Sequence, residues 1–460
     1  MAISLVKRLP AAARAAGVAV MSGVLCFAPL SQSLAQQRSL SIIRDAETEA
    51  LVKRFAEPIW RAAGIDENAV QVHLVKDQTI NAFVSGGQQL FLNTGLITQV
   101  DTPSELIGVI AHETGHMAGG HLARTQEALG GLEIPMIASM LLGVGAMAAG
   151  APDVGAAVLM GSQHIAQRGV LAYSREQESR ADQAGATFLE RAHESGKGML
   201  ELFETFRDQE VLSGQNQDPF VRSHPISEDR LSALRGRVEA SPYFDKKDSA
   251  KDVHDLKMVQ AKLIGFIGQP SVTFNTYPQS DQSDYAHYAR AIANHQLGRT
   301  QEALKELAPV LEHEPNDPYV HELKGQILFE SGEIEPSIVS YRKALELDPN
   351  EPQIQMALGQ SILARDTVPA AKEALPYLQK AARSISNYPY AYYQLSQAYG
   401  KLNQIGMAEL ATAQYYDTLG DAREATRHAR RAQQHLKTGT PDWLKAEDIA
   451  SQQVPRDQRG

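Results

Sequence analysis

The chain is 460 residues long, two to three times an ordinary domain, so more than one core is expected. An apolar fraction of 43% and a charged fraction of 21% belong to a globular protein and exclude disorder, collagen and coiled coil as the main state. Lys and Arg number 44 against 54 Asp and Glu, a net charge of -10 with no basic excess for nucleic acid, and the single Cys26 excludes a disulfide framework or cysteine-built zinc site.

Lys7, Arg8 and Arg14 lead into an apolar stretch from Ala15 to Leu30, and no acid occurs before Asp45. With Ser33-Leu34-Ala35 as a small-x-small pattern, residues 1–35 read as an export signal cut after Ala35. The alternative is an uncleaved anchor helix, but the stretch is short for a bilayer and Pro29 interrupts it. Lipidation at Cys26 is set aside because Leu25 stands where a small residue is required. An exported, acidic chain without cysteine fits a bacterial periplasm.

Residues 36–240 mix helix and strand signals. Arg44 to Ala63 has helical periodicity, and Val70 to Leu74 alternates like a strand. Ala82-Phe83-Val84 and Leu90-Phe91-Leu92 flank Ser85-Gly86-Gly87-Gln88, which predicts a hairpin. Thr102-Pro103-Ser104-Glu105 is a capping box with Pro at the first helical position, and Leu106, Ile107, Val109 and Ile110 follow as buried neighbours. The helix so opened carries His112-Glu113-Thr114-Gly115-His116. Two imidazoles one turn apart face one point and can hold Zn²⁺, while Glu113 beside them can polarise a water.

Two residues compete as the third ligand. His121 follows Gly119, but the extended pattern needs its last histidine ten residues after the first. His121 comes one residue early, and is expected as a partly exposed structural residue. Glu178 lies in Ser174-Arg175-Glu176-Gln177-Glu178-Ser179-Arg180-Ala181-Asp182, where Ser174 with Gln177 reads as a helix start. Glu178 and Asp182 share a helix face, so one can bind metal while the other accepts a hydrogen bond from a ligand imidazole. Ala181 and Gly185 would let this helix approach the first closely. A solvated charged face is the alternative, given Arg175, Glu176, Arg180 and Glu190; the two motifs together favour the metal.

Between Glu133 and Asp153 no residue is charged, a length that admits a membrane span. A single span would put His112 and His116 across the bilayer from Glu178. The expectation is therefore a helix pair over the site, with peripheral membrane contact through 134–167. His164 there is a second candidate for a plugging residue, though a lone histidine is more often structural.

Residues 241–282 read as a connector with one helix from Asp248 to Ile267. From 283 a 34-residue period begins: Ala291, Gly325 and Gly359 follow it, as do Gly298 with Gly332 and Pro315-Asn316 with Pro349-Asn350. This is the tetratricopeptide period, and it continues after a slip of about three residues. Four repeats fill 283–437 with Ala422–Leu436 as a cap, and 438–460 is expected to be a polar tail. Such a solenoid offers a concave surface for protein or peptide; the alternative is a packing scaffold without a free groove.

His-Glu-x-x-His followed by Glu-x-x-Ala-Asp resembles the gluzincin metallopeptidases that include the HtpX-like and CaaX-processing proteases. Asn81-Ala82-Phe83 and Gly95-Leu96-Ile97 are similar to that family too, and the likeness covers residues 45–235. It implies an α+β gluzincin-type zinc peptidase domain, mainly helical with a small sheet, followed by an all-α tetratricopeptide solenoid. It also implies one zinc per chain on His112, His116 and Glu178, with Glu113 as general base and Asp182 orienting a ligand. In the periplasmic subgroup a loop histidine before proline takes the fourth zinc position and holds the enzyme latent, which implies that part for His224 in Ser223-His224-Pro225. Arg230 matches a family arginine, and it or a displaced His224 is a candidate to stabilise the oxyanion. The alternative is a turn histidine stacked on proline and an arginine in a surface salt bridge.

The function so implied is a latent periplasmic zinc metalloendopeptidase acting on unfolded or misassembled proteins. Its clients would be stalled outer-membrane proteins, its partner their assembly machinery, and the Ala82–Val84 edge would pair with the substrate backbone. A tetratricopeptide chaperone or adaptor with little proteolysis competes with it, as does a membrane-embedded processing protease.

Overall fold

The computed structural model describes residues 41–86, 88–121, 175–213, 220, 224–384 and 388–452. The expected export signal with Cys26, the stretch 134–167 with His164, and Ser174 and Ser223 lie outside them. The chain divides into two compact units, Met1–Arg44 with Val52–Asp252, and Asp45–Leu51 with Val253–Gly460.

In the first unit a four-stranded sheet is built from β1 (Ile42–Ile43), β2 (Gln71–Val75), β3 (Ala82–Ser85) and β4 (Gln89–Asn93), in the order β1-β2-β4-β3. β2 and β4 run parallel; the other two pairs are antiparallel. The expected hairpin is present, with Ser85 opposite Gln89 and Gly86 at φ 55°, a left-handed value that favours glycine. Among the described strands β3 is therefore at an edge. Helix α1 (Ala46–Ala63), of which the part from Val52 belongs to this unit, precedes β2, and the short α2 (Thr94–Gln99) follows β4. Trp60, Leu74, Leu90, Leu92 and Ile97 are fully buried.

Helix α3 (Pro103–Gly119) starts as its sequence dictates. The Thr102 hydroxyl accepts from the Glu105 amide at 3.3 Å, and the Glu105 carboxylate accepts from the Asp101 amide at 2.7 Å. Gly120 ends it at φ 60°. α4 (175–191), α5 (Lys197–Ser213) and α6 (Glu228–Glu239) complete the unit.

Glycines let α3 be crossed at backbone distance. A Cβ on Gly115 would stand 2.6 Å from the Ala181 carbonyl oxygen, and one on Gly185 3.0 Å from the Ala111 carbonyl carbon, so α4 lies directly on α3. On its other contact, a Cβ on Gly108 would stand 2.6 Å from the Met199 Cα in α5. β3 packs beside α3 as well.

The second unit holds α7 (Ala250–Ile267) and α8 (Pro270–Thr276), then four helix pairs: α9 (Asp284–Gln296) with α10 (Thr300–His313), α11 (Pro318–Glu330) with α12 (Ile334–Leu347), α13 (Pro352–Leu363) with α14 (Val368–Ser384), and α15 (Pro389–Lys401) with α16 (Ile405–Thr418). The repeat has physical content. Gly325 lies under the Tyr341 ring and Gly359 under Leu378, where a Cβ would come within 2.9 and 2.7 Å. Gly298 and Gly332 turn the chain between paired helices at φ 70° and 84°; Asp366 and Asn403 take the same left-handed place at 53° and 55°.

Two segments differ from expectation. α7 is not a free connector: Leu256, Met258, Val259 and Leu263 are buried in the second unit. The polar tail carries α18 (Pro441–Ala450), capped by the Thr440 hydroxyl and packed through Ala446 and Ile449 against α16 and α17 (Ala422–His435). Among the described residues no helix is long and apolar enough to cross a membrane.

Candidate metal centre

α3, α4, the segment before α6 and the first turn of α6 bring seven polar side chains into a buried cluster: His112, Glu113, His116, Glu178, Asp182, His224 and Arg230. His112 Nε2 lies 3.2 Å from His116 Nε2 and 3.4 Å from a Glu178 oxygen; the other Glu178 oxygen is 3.4 Å from His116 Nε2. His224 Nδ1 closes the group, 3.2 Å from His112 Nε2 and 3.0 Å from Glu178. Four donor atoms from these residues lie within 4.8 Å of one another.

The set fits a zinc ion. Bonds of about 2.0–2.1 Å arranged tetrahedrally place donors about 3.3–3.4 Å apart, close to the spacing found. Three imidazole nitrogens and one carboxylate are the donor chemistry zinc takes.

The surroundings hold these side chains in place. His112 Nδ1 lies 3.0 Å from Asp182, so Nδ1–H can donate there, and loss of the other proton would leave Nε2 free for a metal. Asp182 in turn accepts from Arg230 Nε and Nη2 at 2.7 and 2.8 Å. Arg230 Nη1 donates to the Pro225 carbonyl at 2.6 Å and lies 3.3 Å from Glu178. Arg230 thus lies buried between α4 and the His224-Pro225 segment, and its ion pair with Asp182 is not a surface one. Phe220 stacks on the His224 ring at 4.8 Å, and Phe203 meets His112 edge-on.

His121 departs from expectation. It is buried, with Nδ1 3.0 Å from His116 Nδ1, and its carbonyl accepts from Gln177 Nε2 at 3.3 Å. Its ring occupies the space a Cβ on Gly119 would need. Its contact with His116 parallels that of Asp182 with His112, and the sequence hinted at it only through the Gly119-x-His121 spacing.

Glu113 is fully buried beside the other cluster residues, with the Val84 backbone amide of β3 near its carboxylate and Oε1 facing His224 Nε2 at 3.5 Å. Burial pushes its pKa up, against the pull of the nearby imidazoles of His224 and His112. Burial also works against charge on His112, but hydrogen bonds to Asp182 and Glu178 outweigh it and raise the metal-free pKa to about 9. Burial lowers His116 to about 4. Glu178, despite burial, is held well below the carboxylate range by the three histidines, and Asp182 is likewise lowered, against burial, by His112 and Arg230.

Residues 43–238 match Peptidase family M48, and 325–364 match the TPR repeat. The chain is 27% identical over 261 residues to the beta-barrel assembly-enhancing protease of Escherichia coli K12, covering 55% of this chain and 52% of that protein. It thus spans about half the length of that relative. It is 30% identical over 191 residues to the metalloprotease YcaL of the same organism, with 40% of this chain and 69% of the relative covered. With the metalloprotease LoiP it shares 27% identity over 239 residues, 48% of this chain and 87% of the relative. On the match to that family's model and the likeness to YcaL, the chain belongs to Peptidase family M48.

Proposed function

We propose that this protein is a zinc-dependent endopeptidase held latent by His224, with unfolded or stalled outer-membrane proteins as its substrates. The observation that carries the reading is the position of His224: Nδ1 stands among the donors of His112 and Glu178, and Nε2 faces Glu113. His112, His116 and Glu178 would hold the metal. When bound, zinc supplies Lewis-acid polarisation of the scissile carbonyl and acidifies a water. Glu113 takes the proton from the attacking water and returns it to the leaving amine; burial, which raises its affinity for protons, suits that exchange. Asp182 and His121 keep the ligand lone pairs directed inward, and Arg230 holds Asp182. The edge of β3, outermost among the described strands and beside α3, is suited to pairing with an extended peptide, so that selection would depend on exposed backbone.

With His224 in place four protein donors would hold the metal and would leave no position for water, so catalysis would need the His224-Pro225 segment to move. The substrate class follows the name of the assembly-enhancing relative, as does contact with outer-membrane assembly components through the repeats. A periplasmic location follows from the export signal expected in residues 1–35.

The test compares degradation of unfolded casein by zinc-loaded wild type, Glu113→Gln and His224→Ala, with zinc content measured in each. Glu113→Gln should keep its zinc and lose about 10²–10⁴-fold in rate. His224→Ala should be faster than wild type. Full turnover by Glu113→Gln would favour an adaptor in which the repeats do the work, and a zinc-loaded His224→Ala no faster than wild type would end the latency reading.

A further inference from the structure

Helix α17 is out of character with its chain. In a protein of net charge -10, this one helix carries four arginines against a single glutamate. At about 100° per residue, Arg423, Arg427, Arg430 and Arg431 fall within one arc of about 100°. The opposite side of the helix is Ala425, Ala429 and Ala432, buried against α16 and α18. All four arginines are exposed. Arg427 pairs with Glu424 on its own helix, and Arg431 approaches Glu409 only to 3.9 Å. Arg423 and Arg430 take part in none of the ion pairs found among the described residues. The cations therefore form an outward ridge about 12 Å long, from a rise of about 1.5 Å per residue.

We propose that this ridge docks the protein on a bilayer surface bearing anionic phospholipid headgroups. Guanidinium forks match phosphate oxygens in charge and in geometry, so the ridge is complementary to a headgroup layer without any pocket. A protein partner is less well served. Interfaces between proteins are built around a desolvated apolar centre, and no large apolar side chain is exposed on α17. Because the alanine face is already buried in the solenoid, the helix cannot insert its apolar side among acyl chains. The contact is purely electrostatic, worth about fivefold in affinity per arginine and weakened by salt. This distinguishes it from apolar membrane contact through 134–167, which added salt would not weaken.

Purified full-length protein would be sedimented with vesicles of phosphatidylcholine alone and with vesicles containing phosphatidylglycerol, at low and high salt. Binding is expected only with phosphatidylglycerol at low salt. Arg423→Gln with Arg430→Gln should weaken it about 25-fold, whereas Arg423→Lys with Arg430→Lys should retain most of it. Both residues are exposed, so circular dichroism and the Tm should be unchanged in either pair. Equal binding to neutral vesicles, indifference to salt, or wild-type binding by the glutamine pair would overturn the proposal. So would failure to bind phosphatidylglycerol at low salt, including the case where the protein binds polyaspartate instead.

Discussion

His116 needs a lone pair on Nε2 to serve as a ligand, so its proton must sit on Nδ1 and find an acceptor. His121 Nδ1, 3.0 Å away, is that acceptor. His121→Ala should therefore lower zinc affinity about 10–100-fold in a chelator competition while leaving the helix content intact. An unchanged zinc affinity would make His121 a packing residue only. The metal-free pKa of His112 near 9 has a directional consequence too. At neutral pH His112 carries a proton that zinc must displace, so binding releases a proton and apparent affinity climbs with pH until about 9. Calorimetric titrations in buffers of different ionisation enthalpy would count that proton; no release at pH 7 would contradict the assignment. At this scale the sequence was readable where residues sit one turn apart: His112 with His116, and Glu178 with Asp182. It was not readable for His121, whose partner is fixed by the helix-terminating turn at Gly120 and by the space left at Gly119.

Glu178 reaches the histidine pair only because two helices touch backbone to backbone. A Cβ on Gly115 would meet the Ala181 carbonyl and Cα at 2.6 and 2.9 Å, and neither can rotate away as a side chain could. Gly115→Ala should thus push α4 off α3, cost about 1–3 kcal/mol of stability, and weaken zinc binding in proportion. Thermal unfolding with and without zinc checks both; a variant with wild-type Tm and affinity would show that the crossing can relax. The small residues that permit the crossing, Gly115, Ala181 and Gly185, were visible in the sequence, as was the 34-residue cadence. Even the slip of three residues is kept, since the left-handed turn position moves from Asp366 to Asn403. α18 was hidden because a short, highly charged helix buries just Ala446 and Ile449, too few for a period to register, although Thr440-Pro441 marks its start. α7 read as a connector because its burial depends on partners distant in sequence.

The second unit is not continuous in sequence: Asp45–Leu51 joins Val253–Gly460. Lys262 on α7 is the residue that makes this matter. Its ammonium is buried, 2.6 Å from Asp45, 3.3 Å from Glu47 and 3.7 Å from Glu322, while the Tyr288 hydroxyl donates to Glu47 at 2.9 Å. Burial opposes charge on all of them. Asp45 is nevertheless lowered by Lys262, whereas Glu47 is pushed up to about 8. At neutral pH Lys262⁺ then faces Asp45⁻ with Glu47 protonated, while burial also pushes the Glu322 carboxyl up. Lys262→Met strands Asp45 without its counter-ion and should cost about 3–5 kcal/mol, read as a fall in denaturant midpoint. The acid adds a pH signature. Glu47 binds its proton more tightly folded than unfolded, so its stabilising contribution is complete below pH 4.5 and is lost as pH rises through about 8. Wild type should accordingly lose stability across that interval relative to Glu47→Gln, which has no such proton to give up. Parallel stability profiles for the two proteins would mean that Glu47 ionises freely in the fold, and that the joining of the N-terminal segment to the solenoid does not depend on a protonated acid.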